Sequence, residues 1–293
     1  MPETYGSLLR MGVRLLEAKD ISNPGIDAER LLQEVSGKSH SFLFLHQDDE
    51  CGTRCALRFY QLLERRMDRE PLQYIIGSQE FMGLPFQVNP AVLIPRQDTE
   101  TLVETAIKEA SDMEPDLRIL DMCCGSGAIA VSCARYIPGS RVAACDFSEE
   151  ALDVARKNAE ANQVSERISF MKSDLFSCFR QRPDVTEKTA FDMILCNPPY
   201  IPTDVIPGLQ AEITEYEPRE ALDGGPDGLD FYRVLSAEAW EYLKSGGLLL
   251  MEIGSDQAEA VQSLLRQQGR YTDPDVIRDL AGKDRVIRCR RVL

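Results

Sequence analysis

Five short apolar runs, at 117–122, 142–145, 168–171, 193–196 and 248–253, decide what this chain can fold into. Helical spacing separates them. The best local example is Ser148 as N-cap of a helix carrying Leu152, Ala155 and Ala159. Strands alternating with helices predict a mostly parallel sheet, because a parallel crossover needs a helix and lays it on a sheet face. The final run, 286–292, alternates apolar and polar residues and is expected as an antiparallel edge strand. The fold class is therefore α/β. The chain has no internal repeat and no low-complexity tract.

The first 75 residues read differently. Leu8, Leu9, Val13, Leu15 and Leu16 recur at near-helical spacing. A second helix is expected with Asp27 as N-cap, through Leu31, Leu32 and Val35 to Gly37. A third runs from about Cys55 to Asp68, with Leu57, Tyr60, Leu63 and Met67 along one stripe. Tyr74 to Ile94 mixes apolar residues with Gly77, Gly83, Pro85 and Pro90, which predicts a short hairpin. The expected division is a small all-helical domain at 1–75, a hairpin linker at 76–95 and the sheet domain at 96–293.

The charge balance bears on partners. The chain of 293 residues has 33 basic and 48 acidic side chains, a net −15. Residues 1–93 carry −3 of this and the rest −12. Binding to duplex nucleic acid draws most of its affinity from phosphate neutralisation, so this balance argues against it. Arg65, Arg66 and Arg69, and Arg288, Arg290 and Arg291, are the local basic groupings and read as solvated faces. No apolar run reaches membrane-spanning length, and Met-Pro-Glu-Thr-Tyr-Gly is no secretory leader. The nine cysteines are odd in number and scattered, as in a reducing compartment. A soluble cytoplasmic protein is expected. His40, His46, Cys51 and Cys55 fall close together but match no standard zinc spacing, so no metal is expected.

The first strand and its turn read Asp121-Met-Cys123-Cys124-Gly125-Ser126-Gly127. Glycines there let backbone approach a ligand, and the following helix offers free N–H groups. Asp146 ends the second strand, 19 residues after Gly127, where a carboxylate can accept from two ribose hydroxyls. Asp174 and Leu175 end the third, a polar and an apolar neighbour for an adenine ring. The turn lacks the dinucleotide fingerprint and a Walker lysine, which favours a nucleoside without phosphates, such as S-adenosylmethionine. A plain tight turn is the alternative reading.

The fourth strand ends Asn197-Pro198-Pro199-Tyr200. Two prolines remove two N–H groups and bar helical backbone, so carbonyls there can stay free to accept. The Asn197 side chain adds an acceptor, and Tyr200 offers a ring to stack on a planar group. This is a receptor for a planar NH₂ group, which two acceptors would orient for attack on a sulfonium methyl. A plain Pro-Pro turn is again the alternative.

At these residues the chain resembles the class I S-adenosylmethionine-dependent methyltransferases, and more narrowly the HemK/PrmC family of release-factor glutamine methyltransferases. Further matching stretches are 71–77 (Pro-Leu-Gln-Tyr-Ile-Ile-Gly), 94–100 (Ile-Pro-Arg-Gln-Asp-Thr-Glu), 221–225 (Ala-Leu-Asp-Gly-Gly), 227–232 (Asp-Gly-Leu-Asp-Phe-Tyr) and 279–285 (Asp-Leu-Ala-Gly-Lys-Asp-Arg). The resemblance implies a Rossmann-like sheet and a helical substrate-recognition domain. It implies methylation of the glutamine amide nitrogen in the Gly-Gly-Gln motif of peptide chain release factors, a step bearing on translation termination. It assigns residues 123–127 to the methionine part of the cofactor, Asp146 to the ribose, Leu175 to the adenine, and Asn197 to Tyr200 to the glutamine amide. The family usually has Gly where this chain has Cys123. Asp98 is expected as N-cap of the next helix, in a loop with Arg96 and Glu100 that could close over the cofactor. The main rival is a methyltransferase for adenine or cytosine amino groups in DNA or RNA, which must extract the base and track a phosphate backbone. A scaffold that kept the fold and lost activity is the other, and the intact Asp146 and Asn197 speak against it.

Overall fold

The computed structural model describes residues 3–180 and 190–292. It divides into two compact units, Met1–Ser78 with Gln210–Tyr216, and Gln79–Leu209 with Glu217–Leu293.

The helical unit holds α1 (Tyr5–Glu17), α2 (Pro24–Ser36), α3 (His40–Leu45), α4 (Thr53–Met67) and α5 (Leu72–Ile76). Thr4 and Ser7 close a capping box on α1. Leu8, Leu16, Leu31, Leu32, Phe59 and Leu63 form its core. Three local expectations are corrected. Asp27 is not an N-cap: Pro24, at home in a first turn, starts α2 earlier, after Asn23. Asp27 is instead buried, and its Oδ2 accepts from Arg66 Nε at 2.7 Å. Arg66 is therefore no solvated residue; it also bonds Glu212 at 3.2 Å, in the segment Gln210–Tyr216 of the same unit. Tyr74 to Ile76 are helical rather than part of the hairpin, in a single turn closed by Gly77 in left-handed backbone. His40 and His46 pair with Glu29 and Asp49, and among the described residues no group of His, Cys, Asp or Glu is arranged to hold a metal ion.

The second unit is built on a seven-stranded sheet, with a separate two-stranded hairpin. Its elements begin with the hairpin β1 (Ser78–Phe81) and β2 (Leu84–Gln87), followed by α6 (Gln97–Ala110). Then come β3 (Arg118–Met122), α7 (Ala128–Tyr136), β4 (Arg141–Asp146), α8 (Glu149–Ala161), β5 (Ile168–Lys172), the short α9 (Ser177–Arg180) and β6 (Phe191–Cys196). The short α10 (Ala211–Thr214) belongs to the helical unit. The chain ends with α11 (Asp230–Tyr242), β7 (Leu243–Glu252), α12 (Ala258–Gln268), β8 (Asp275–Arg278) and β9 (Asp284–Arg290). The strand order is β5-β4-β3-β6-β7-β9-β8. The first five are mutually parallel, and β9 and β8 are antiparallel. This is the expected α/β sheet; the strand near the chain end, β9, is antiparallel as expected but is not an edge strand, because β8 pairs with its outer side and takes the edge.

Alternation along each strand explains the two layers. Ile119, Met193, Leu195, Leu248 and Leu250 face one core, and Leu120, Ile194, Leu249 and Met251 face the other. Phe81 and Phe86 bring the hairpin into the first layer. Among the described residues, no helix is long and apolar enough to cross a membrane.

Arg66→Met leaves the buried Asp27 without its cation and Glu212 with only the more distant Arg69, and is expected to cost about 3 kcal/mol. Urea unfolding followed by far-UV circular dichroism checks this; an unchanged midpoint contradicts it.

Candidate active site

Strand order reverses at β3, which has β4 on one side and β6 on the other. In open parallel sheets such a reversal leaves a crevice at the carboxyl ends of the strands. Met122 and Cys196, the last residues of β3 and β6, lie side by side in register, so Cys123 and Asn197 leave the sheet together. A cleft of about 210 Å³ opens there, and Cys123, Gly125, Asp146, Leu175, Asn197 and Thr99 are among the residues lining it.

One side of the cleft is shaped by backbone in left-handed space. Cys123 has φ +61°, Gly125 +52°, Gly127 +79° and Leu175 +44°. At Cys123 a glycine would be unstrained, which is the physical content of the family's usual residue there. A Cβ on Gly127 would stand 3.0 Å from Ala155 Cβ, so its smallness lets α8 pack close to the loop. Asp146 Oδ2 accepts from Gly125 N at 2.8 Å and Oδ1 from Ser148 N at 2.9 Å. Burial raises its pKa, and these N–H groups oppose the rise. Cys124, Ser126, Asp174 and Leu175 also line the cleft.

Asp121 is corrected as a cofactor contact. It is fully buried, does not line the cleft, and accepts from Ala130 N at 2.9 Å. Its side chain points to the first turn of α7 and braces the loop from beneath. Asp98 is likewise no N-cap: α6 starts at Gln97 after Arg96, and Asp98 lies in its first turn. Its carboxylate meets Arg285 at 3.0 Å.

Five chain segments meet around the Asn197–Tyr200 turn. Asn197 Nδ2 donates to Thr99 Oγ1 at 3.1 Å. Glu252 is the last residue of β7. The Tyr200 hydroxyl donates to Glu252 Oε1 at 3.4 Å, and Gln257 Nε2 donates to the Tyr200 carbonyl at 2.9 Å. Glu252 is 1 % exposed, and its pKa is pushed up to about 7, chiefly by burial. Arg285 is buried beside it and held by Asp98 and Asp279. Asp279 Oδ1 accepts from the Ala281 and Lys283 N–H groups, which folds 279–285 into the turn that delivers Arg285. The loop 94–100 is fixed by further bonds. Arg96 pairs with the buried Glu217, and Glu100 accepts from Met82 N at 2.6 Å.

The stretch 221–225 explains itself in the same way. Ile201 N donates to Leu222 O, and Gly224 N donates to Ile201 O. A Cβ on Gly224 would lie 2.7 Å from Tyr200 Cα, so only glycine allows this strap against the Asn197–Tyr200 turn.

Of the acceptor-side residues, Asn197 and Pro199 line the cleft, whereas Pro198 and Tyr200 do not. Tyr200 packs against the second apolar layer and anchors the turn through its hydroxyl. The buried thiols of Cys124 and Cys196 have raised pKa values, so both stay protonated and neither is an activated nucleophile. Thr99, Glu252, Gln257 and Arg285 are site residues that sequence reasoning missed. The available signal for Glu252 is a lone acid at the carboxyl end of an otherwise apolar strand.

A cleft at the reversal of a parallel sheet, lined by the glycine turn after β3 and by Asn197 after β6, is the arrangement of a methyltransferase. A solved methyltransferase from Pyrococcus furiosus shares the fold, with a TM-score of 0.52 at 18 % identity over 78 % of this chain and 100 % of that one. Family models match both parts of the chain, the PrmC N-terminal domain over residues 7–77 and the methyltransferase small domain over 97–211. The release factor glutamine methyltransferase of Moorella thermoacetica is 44 % identical over 96 % of each chain. That of Clostridium botulinum is 37 % identical over 97 % of this chain and 98 % of its own. The chain belongs to the release factor glutamine methyltransferase family.

Gly127→Ala adds a left-handed alanine and a contact on Ala155, and is expected to cost about 1–2 kcal/mol. Thermal denaturation measures this, and an unchanged midpoint contradicts the assignment.

Proposed function

We propose that this enzyme uses S-adenosylmethionine to methylate the side-chain amide nitrogen of the glutamine in the Gly-Gly-Gln motif of peptide chain release factors. Family membership at 44 % identity across nearly the whole chain supports the acceptor class. The observation that carries the chemistry is the orientation of Asn197. Its nitrogen is committed to Thr99, so its oxygen is left as the acceptor at the cleft.

The residues present fit the cofactor. Nothing stands within 4 Å of where a Cβ on Gly125 would be, so backbone is open to a ligand at that point. Each oxygen of Asp146 holds one N–H group and retains capacity for a ribose hydroxyl. Leu175, half-buried at the cleft, offers an apolar wall to the adenine. Cys123, Cys124, Ser126 and Asp174 complete the enclosure, whereas Gly127 does not line the cleft and instead packs against Ala155. When bound, S-adenosylmethionine supplies an electrophilic methyl group on a sulfonium.

The chain's own part is orientation. Asn197 Oδ1 and the Pro198 carbonyl accept the two hydrogens of the glutamine NH₂, aiming the nitrogen lone pair at the methyl. These acceptors strengthen their hold as positive charge develops on that nitrogen. The prolines at 198 and 199 bring no N–H of their own to compete. Tyr200 keeps the turn in place through Glu252 and Gln257. The helical unit, whose residues 7–77 match the PrmC N-terminal domain, is assigned to recognition of the release factor. The reaction is assigned to the cytoplasm, where its substrate works.

Labelled S-adenosylmethionine offered with an unmethylated release factor, its Gln→Ala version and plasmid DNA tests the reading. Label on the intact release factor alone is expected. Label on DNA establishes the base-methylating rival instead. Asn197→Ala is expected to lower turnover by about 100-fold or more while cofactor affinity is largely kept.

A further inference from the structure

Resting on that reading, we propose that Arg285 is a positioning residue for methyl transfer: its buried guanidinium ties together the two supports that hold the first and the last residue of the Asn197–Tyr200 turn.

The two ends of that turn are held by different parts of the chain. At the Asn197 end the support is the first turn of α6, where Thr99 Oγ1 accepts from Asn197 Nδ2 at 3.1 Å. At the Tyr200 end the support is the segment 252–254, at and just beyond the end of β7. Glu252 Oε1 accepts from the Tyr200 hydroxyl at 3.4 Å. Gly254 N donates to Gln257 Oε1 at 2.9 Å, and Gln257 Nε2 donates to the Tyr200 carbonyl at 2.9 Å.

Arg285 reaches both supports. Its Nη2 meets Asp98 Oδ2 at 3.0 Å, on the residue next to Thr99. Its Nη1 donates to the Ile253 carbonyl at 3.3 Å, and Ile253 N donates to the Arg285 carbonyl at 2.8 Å. The middle residue of 252–254 is thus gripped by both the side chain and the main chain of Arg285. A third partner sets the plane of the guanidinium: Nε and Nη2 both donate to Asp279 Oδ2 at 3.2 Å. Asp279 is in turn fixed by the Ala281 and Lys283 N–H groups. Arg285 does not line the cleft, so it acts through these partners. The stretches 94–100 and 279–285, far apart in the chain, meet in the Asp98–Arg285 pair.

The group suits the task. A guanidinium holds five N–H donors in one rigid plane and can serve three partners in three directions, whereas an ammonium is a compact point charge on a flexible stem. Stability alone does not call for it, because well-packed apolar side chains commonly replace a buried ion pair without loss. Positioning does call for it. Where a reaction runs on orientation, a shift of about 1 Å in the acceptor costs on the order of 100-fold in rate.

The experiment compares wild type, Arg285→Lys, Asp98→Asn, Asn197→Ala and the double variant Arg285→Lys/Asn197→Ala on an unmethylated release factor. Arg285→Lys is expected to lower kcat about 10-fold or more, with KM for S-adenosylmethionine within about 3-fold of wild type. Asp98→Asn keeps the shape of a half-exposed side chain, removes its charge, and is expected to lower kcat about 3-fold or more. Adding Arg285→Lys to Asn197→Ala is expected to cost no more than about 3-fold further, because both act on the same turn. Where Arg285→Lys does not fold, Asp98→Asn in the two backgrounds makes the same comparison. A merely structural role predicts losses that multiply in the double variant and a cofactor KM that rises with them; either result overturns the proposal. So does wild-type kcat in Arg285→Lys. No transfer to the release factor by the wild type defeats the acceptor reading, not the role of Arg285. That role is then judged on the enzyme alone, by the side-chain NH₂ protons of Asn197, assigned through their loss in Asn197→Ala. They are expected to exchange with solvent about 10-fold faster or more in Arg285→Lys than in wild type. An unchanged exchange rate overturns the proposal.

Discussion

The hydrogen bond from Asn197 to Thr99 is the contact on which the acceptor site depends. It joins the end of β6 to the start of α6, elements about 100 residues apart in the chain. Each partner is then held from a different direction. Thr99 is fixed because its loop is tied down at Arg96, Asp98 and Glu100. Asn197 is fixed because the turn after it is strapped by Ile201, Gly224 and Gln257. Glu252 and Arg285 close the structure from β7 and β9. A site assembled from so many distant segments has little freedom to relax, which suits catalysis by positioning.

The electrostatics agree with that mode of catalysis. Methyl transfer to a neutral amide needs no strong base, since the proton leaves after charge has developed on nitrogen. Two acids of this region, Asp121 and Glu252, are buried with raised pKa values. One holds the first turn of α7 through Ala130 N and the other holds the Tyr200 hydroxyl. Asp146, alone of the strand-end acids that line the cleft with both oxygens already on backbone N–H groups, combines order with spare acceptor capacity. Cys123 and Leu175, two of the seven non-glycine residues with left-handed backbone among the described residues, line this cleft.

Much of this was legible in the residues, for local reasons. The alternation of Ile119 with Leu120, and of Ile194 with Leu195, marks strands buried on both faces. The Ser148 cap and the turn glycines are likewise local, and each is found where its chemistry belongs. Side-chain direction is not local. Asp121 ends a strand next to the glycine turn and reads as a ligand, yet its carboxylate belongs to Ala130 beneath the loop. Asp98 reads as a cap, yet Arg285, 187 positions away, claims it. Arg66 reads as a surface charge beside Arg65, but its partners Asp27 and Glu212 are far off in sequence. Charged groups whose partners come from elsewhere in the chain are the features that only the folded chain reveals.

The central claim is that an oriented acceptor, rather than a base, activates the amide. A high-resolution structure of the enzyme with S-adenosylhomocysteine and a Gly-Gly-Gln peptide tests it most directly, with hydrogen positions taken from neutron diffraction. The prediction is a glutamine NH₂ donating to Asn197 Oδ1 while Asn197 Nδ2 remains on Thr99. An Asn197 nitrogen facing the peptide, or a carboxylate within hydrogen-bonding distance of the glutamine nitrogen, contradicts it.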